Sequence, residues 1–103
     1  MAGTSPRRME PRTALELFVE LCSLDNATFE ITSTLDVSPH GARVLSDSTW
    51  VCNQRLSVRM VGSSRNSPAH IVYCRPYDGE KYVVGLKIQE PAPRWPRTRQ
   101  MHR

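Results

Sequence analysis

The sequence predicts an all-β domain, a six-stranded antiparallel barrel or sandwich, and three observations carry that prediction. Six short runs alternate apolar and polar residues with a period of two. Turn residues separate these runs at short, regular spacing. No segment sustains a helical period over ten residues. The tail from Gln89 carries Pro91, Pro93 and Pro96, so a C-terminal helix is expected to be short or absent. Closing the sheet would remove the edges that six short strands otherwise expose, which favours the barrel.

The elements follow in order. Residues 1–12 are rich in Pro, Arg and small side chains and read as an extended, flexible basic arm. Leu15, Leu17, Val19 and Leu21 lie on one side of a first strand, with Glu16, Phe18, Glu20 and Cys22 on the other. Asp25-Asn26-Ala27 suits a tight turn. In the second strand, residues 28–37, Phe29, Ile31, Ser33, Leu35 and Val37 oppose Glu30, Thr32, Thr34 and Asp36. Ala42–Leu45 is a short third strand, and Leu56, Val58 and Met60 mark a fourth. A loop over residues 63–68 precedes a fifth strand from His70 to Arg75. Asp78-Gly79 signals a hairpin. Tyr82, Val84, Leu86 and Ile88 then define the sixth strand. The expected organisation is an arm at 1–12, a barrel at 13–90 and a Pro/Arg-rich tail at 91–103, with Trp50 and Trp95 as packing residues.

Composition narrows the function. A chain of 103 residues with 39% hydrophobic side chains supports one small core. The net charge of +4 lies in the flanks, because residues 13–93 hold seven basic and nine acidic side chains. Basic flanks of this kind attract anions. Cys22, Cys52 and Cys74 form no CxxC pair. An odd count with Cys22 and Cys74 inside apolar runs reads as buried thiols in a reducing, cytoplasmic compartment. The first residues have charge but no apolar core of a signal peptide, and no run approaches the about 20 apolar residues that span a membrane.

Catalytic patterns are weak. His40 lies two residues from Ser38, and such neighbours on a turn rarely form a nucleophile–base pair. His40, His70 and His102 lack metal-ligand spacing, and no glycine-rich phosphate loop occurs. No catalytic residue, metal site or cofactor is therefore expected. Single-stranded nucleic acid binders line a groove with aromatics. At 7% aromatics, with no aromatic stripe on any strand, this chain fits DNA or RNA poorly.

Two short segments remain. Arg8-Met9-Glu10-Pro11-Arg12 precedes the first strand, and Asp36-Val37-Ser38-Pro39-His40-Gly41 follows the second. Arginine forks pair with phosphate and stack on bases. A carboxylate such as Asp36 accepts from the N1–H and N2–H₂ donors of guanine, and Ser38, two residues along an extended chain, projects to the same side. Gly41 allows close approach to the backbone and reads as a turn glycine with positive φ. His40 reads as an exposed loop residue and Arg43 as a solvent-facing strand residue.

Together, and in this order, RxxxR and DxSxxG in an all-β chain of this length resemble the PilZ domain. The run Tyr82–Ile88 is similar to that family's last strand. The resemblance implies a six-stranded antiparallel barrel that binds cyclic di-GMP, a bacterial second messenger, and is not an enzyme. Arg8 and Arg12 would hold phosphate and base, Asp36 and Ser38 would read a guanine, and Gly41 would keep the loop open. Arg7, directly before RxxxR, resembles the arginine of members that take two ligand molecules per chain. A PilZ module that binds a downstream protein instead of nucleotide is the alternative.

Overall fold

In the computed structural model, which describes residues 10–26 and 28–96, six antiparallel strands close into a barrel. They are β1 (Phe18–Ser23), β2 (Phe29–Ser38), β3 (Gly41–Ser46), β4 (Arg55–Met60), β5 (Ser67–Asp78) and β6 (Lys81–Ile88). The order around the barrel is β1-β2-β3-β6-β5-β4, closed by pairing of β1 with β4. No helix occurs among the described residues, so the prolines after Gln89 act as their chemistry dictates. Trp95 nevertheless packs against the core from this irregular tail.

The interior is filled by Val19, Leu21, Val44, Leu56, Val58, Ile71 and Val84, all fully buried. Each contributes about 1.5–3 kcal/mol through removal of its apolar surface from water. Trp50 is buried as well and donates its indole N–H to Ser46 Oγ at 3.2 Å and Glu30 Oε1 at 3.3 Å.

β2 departs from the expected alternation. Thr32 pairs with Val19 and Glu30 with Leu21, and partners across a ladder share a face. The inward side of the first half of β2 is therefore Glu30, Thr32 and Thr34, while Phe29 and Ile31 are 57% and 56% exposed. The phase then flips. Thr34 faces Val44 but Asp36 faces Arg43, so Leu35 is an extra residue in a β-bulge. Beyond it Val37 turns inward and Asp36 comes to lie on the outer wall. Alternation alone cannot say which side faces the core; the partner strands decide it.

Other boundaries move for local reasons. β1 begins at Phe18 rather than Leu15, and β5 extends through Pro68 and Pro76. The last hairpin pair is Asp78 with Lys81, which centres the turn on Gly79-Glu80, and Gly79 takes a positive φ of 49° that favours glycine. Cys22 and Cys52 are exposed and Cys74 is half-buried, all as free thiols, which corrects the expectation of buried cysteines. Cys22 shares the outer face with its partner Phe29.

Candidate functional site

The position of the site begins with a buried hydroxyl. Thr34, just before the bulge, donates to the Leu15 carbonyl at 2.6 Å and accepts from the Leu17 N–H at 2.9 Å. Thr13 then bridges Val37 through two backbone bonds of 2.8 and 2.9 Å. These contacts lay residues 13–17 alongside β2 and deliver Arg12 to the outer wall beside Asp36.

Asp36 is held from both sides. Arg12 Nη1 donates to its Oδ1 at 2.9 Å. Arg43 donates to its Oδ2 through Nε at 2.9 Å and Nη2 at 2.6 Å. The carboxylate side chain is only 11% exposed, whereas the two arginines are 47% and 40% exposed. Asp36 holds the guanidinium of Arg43 above the ordinary arginine range, with a smaller contribution from Tyr73. Arg12 and Asp36, 24 residues apart in sequence, are thus brought together. Arg7 and Arg8 lie outside the described residues.

Arg43 is the solvent-facing strand residue expected, and it also pairs with Asp36, which the sequence reading did not include. It stands directly across from Asp36 in the β2–β3 ladder, in the register set by the Ser38–Gly41 hairpin, and the bulge at Leu35 shifts only the pairs beyond. A hairpin register counted back from the Ser38–Gly41 turn could have found it.

The turn itself is Pro39-His40, flanked by the pair Ser38 and Gly41. Ser38 is buried, and its carbonyl accepts from the Trp95 indole N–H at 2.8 Å. Gly41 does not have the positive φ expected of it; that conformation belongs to Gly62 and Gly79. Its need for glycine is one of space, because a Cβ would stand 3.0 Å from Ser38 Oγ and 3.2 Å from the Leu86 carbonyl oxygen.

His40 is not a free loop residue. Its backbone N–H donates to Glu10 Oε1 at 2.8 Å, its Nδ1 lies 2.8 Å from Glu10 Oε2, and its Nε2 lies 2.5 Å from Glu90 Oε2. Both ring nitrogens face carboxylates, and only the protonated ring donates from both. The bonds to Glu10 first and Glu90 second raise the His40 pKa above its usual value. In turn, the His40 ring lowers the pKa of both Glu10 and Glu90. RxxxR therefore touches the DxSxxG loop twice, through Arg12 on Asp36 and through Glu10 on His40. Beside this contact an apolar groove of about 410 Å³ runs between Pro11, the Pro39-His40 turn, and Trp95 of the tail.

The PilZ domain profile matches residues 6–95. The chain belongs to the PilZ domain family. Among solved structures, the Bacillus subtilis Inhibitor of motility (MotI/DgrA) is similar at a TM-score of 0.63 and 19% identity, over 84% of this chain and 44% of that one. The chain thus spans less than half the length of that protein, and the likeness is one of fold. No curated protein is similar in sequence. PilZ domains are regulatory receptor modules rather than enzymes, and no group of three metal-ligating side chains converges among the described residues of this one. The outer wall of this PilZ domain carries a carboxylate, two arginine side chains and a close-packed turn on one surface.

Proposed function

We propose that this PilZ domain is a cyclic di-GMP receptor whose arginine arm closes on the ligand over the DxSxxG loop. The observation that carries the reading is Asp36, a nearly buried carboxylate on the outer wall whose two oxygens are shared between arginines on different elements. Arg12 contributes a single bond from the more exposed of the two side chains. It is the one able to leave for a ligand phosphate, where charge-assisted bonds replace what it gives up. Oδ1 is then free to accept from guanine while Arg43 keeps the carboxylate oriented. Ser38 stands two residues further along the same side, and Gly41 keeps the turn clear. Arg8 joins Arg12 on phosphate and base, and Arg7 stacks on a further guanine, which gives two ligand molecules per chain.

A cyclic di-GMP receptor works in the cytoplasm, and no helix among the described residues is long and apolar enough to cross a membrane. Output to a downstream protein is part of the same proposal. The exposed side chains Phe18, Phe29 and Ile31 on the outer wall favour the second reading, a PilZ module that binds a protein partner without nucleotide.

Calorimetry separates the two. The protein is titrated with cyclic di-GMP, with GTP, GMP and cyclic di-AMP as controls. Saturable heat with cyclic di-GMP alone is expected. No heat, or equal binding of the adenine analogue, overturns the receptor reading. A ratio of two ligands that falls to one in Arg7→Ala supports the role of Arg7, and a wild-type ratio of one removes it.

A further inference from the structure

The row that begins at Asp36 does not stop at Arg43. Arg43 pairs with Gly85 on β6, and Gly85 pairs with Tyr73 on β5. Residues paired across successive ladders share one face, so Asp36, Arg43, Gly85 and Tyr73 form a continuous line on the outer wall. Gly85 leaves a gap in that line, and Tyr73 leans into it. A Cβ at Gly85 would stand 2.9 Å from Tyr73 Cδ2 and closer still to Cζ and Cε2, so the ring occupies the space of the missing side chain. Arg75, two residues on and exposed, lies over that ring with its Cζ 4.3 Å from the centroid.

We propose that Arg75, held flat on Tyr73, is a stacking shelf for a guanine of the bound cyclic dinucleotide, at the opposite end of the row from Asp36. The inference rests on the receptor reading and adds a subsite to it. Guanidinium is planar, permanently charged and weakly hydrated, and it stacks on aromatic and purine faces alike. Tyr73 fixes one face and leaves the other toward solvent, so the side chain is ordered before the ligand arrives. The distance suits a two-base ligand. Strands lie about 4.8 Å apart, so a ring leaning over β6 is on the order of 10 Å from the β2 strand that carries Asp36. One base read edge-on at Asp36 leaves the second to be met face-on, which needs a flat surface. Gly85 serves this arrangement by admitting the tyrosine ring beside Arg43.

The test compares cyclic di-GMP affinities of the wild type, Arg75→Ala, Arg75→Lys, Tyr73→Leu and Tyr73→Phe by calorimetry, with thermal melts to confirm folding. Arg75→Ala and Tyr73→Leu are expected to weaken binding about five- to tenfold, as loss of a stacked cation does. Tyr73→Phe keeps the ring beneath Arg75 and is expected to bind more tightly than Tyr73→Leu. Arg75→Lys keeps the charge without the flat face and is expected to be as weak as Arg75→Ala. Recovery of full affinity in Arg75→Lys would reduce Arg75 to a general charge and overturn the shelf. So would unchanged affinity in Arg75→Ala while the wild type binds. A wild type that fails to bind cyclic di-GMP overturns the receptor reading, and the shelf falls with it.

Discussion

Arg43 stands across the β2–β3 ladder from Asp36 and gives it two hydrogen bonds, both ending on Oδ2, while Arg12 holds Oδ1. The two arginines therefore have different duties, and their variants should differ. Arg43→Ala is expected to cost about 1 kcal/mol of stability, the scale of a well-formed but partly exposed ion pair, and to weaken cyclic di-GMP binding because Asp36 loses its orientation. Arg12→Ala is expected to cost less stability but about tenfold or more in affinity, since its charge-assisted bond passes to the ligand. Urea midpoints and titrations of both variants read this out. Equal effects of the two substitutions on both quantities would show that neither role is distinct.

Asp36 should control which base is accepted. In Asp36→Ala the two arginines return to water at positions already 40% and 47% exposed, so the barrel is expected to stay folded. Affinity for cyclic di-GMP should fall, and discrimination against cyclic di-AMP should shrink, because adenine presents a different donor pattern on the same edge. The measurement is the ratio of the two affinities. An undiminished ratio would leave Asp36 as a structural residue of the bulge.

Gly41 is a packing requirement rather than a conformational one. Gly41→Ala places a methyl 3.0 Å from Ser38 Oγ and 3.2 Å from a backbone oxygen of β6 that has no freedom to withdraw. Overpacking of this kind costs about 1–3 kcal/mol. Denaturation of Gly41→Ala should show that loss, with Ser38 displaced and ligand affinity reduced. A variant as stable as the wild type would mean that the hairpin relaxes without strain.

The clasp of Glu10, His40 and Glu90 makes the hold on the loop depend on pH. Because the His40 pKa is raised, its contribution is complete below the unfolded value of about 6.5 and is lost as pH rises through the folded value. Glu10 and Glu90 are lowered from 4.5, so their contributions exist above that value and are lost as pH falls through their folded values. The clasp is therefore strongest between about 4.5 and 6.5. An NMR titration of the His40 ring should give a midpoint above its ordinary value that falls in both Glu10→Gln and Glu90→Gln. A midpoint indifferent to both substitutions would mean that the carboxylates do not engage the ring in solution.

The sequence by itself determined the strands and the order of the motifs. Period-two alternation is a local property, and it located all six strands within a few residues of their ends. The prolines after Gln89 excluded a helix in the described tail for an equally local reason, a missing N–H and a ring that clashes with the preceding turn. RxxxR and DxSxxG likewise pointed to Arg12 and Asp36, which meet on one wall. Tertiary structure alone decided the faces and the partners. Barrel closure set Phe29, Ile31 and Cys22 outward, because the strand with the better interior match on each side determines which half of an alternating pattern is buried. The two-residue turn between Ser38 and Gly41 put Arg43 opposite Asp36, and pairing through Gly85 carried that row to Tyr73 and Arg75. Glu10 and Glu90 reach His40 across 30 and 50 residues of chain. No local pattern encodes these last contacts, since long-range closure exists only once the strands have paired.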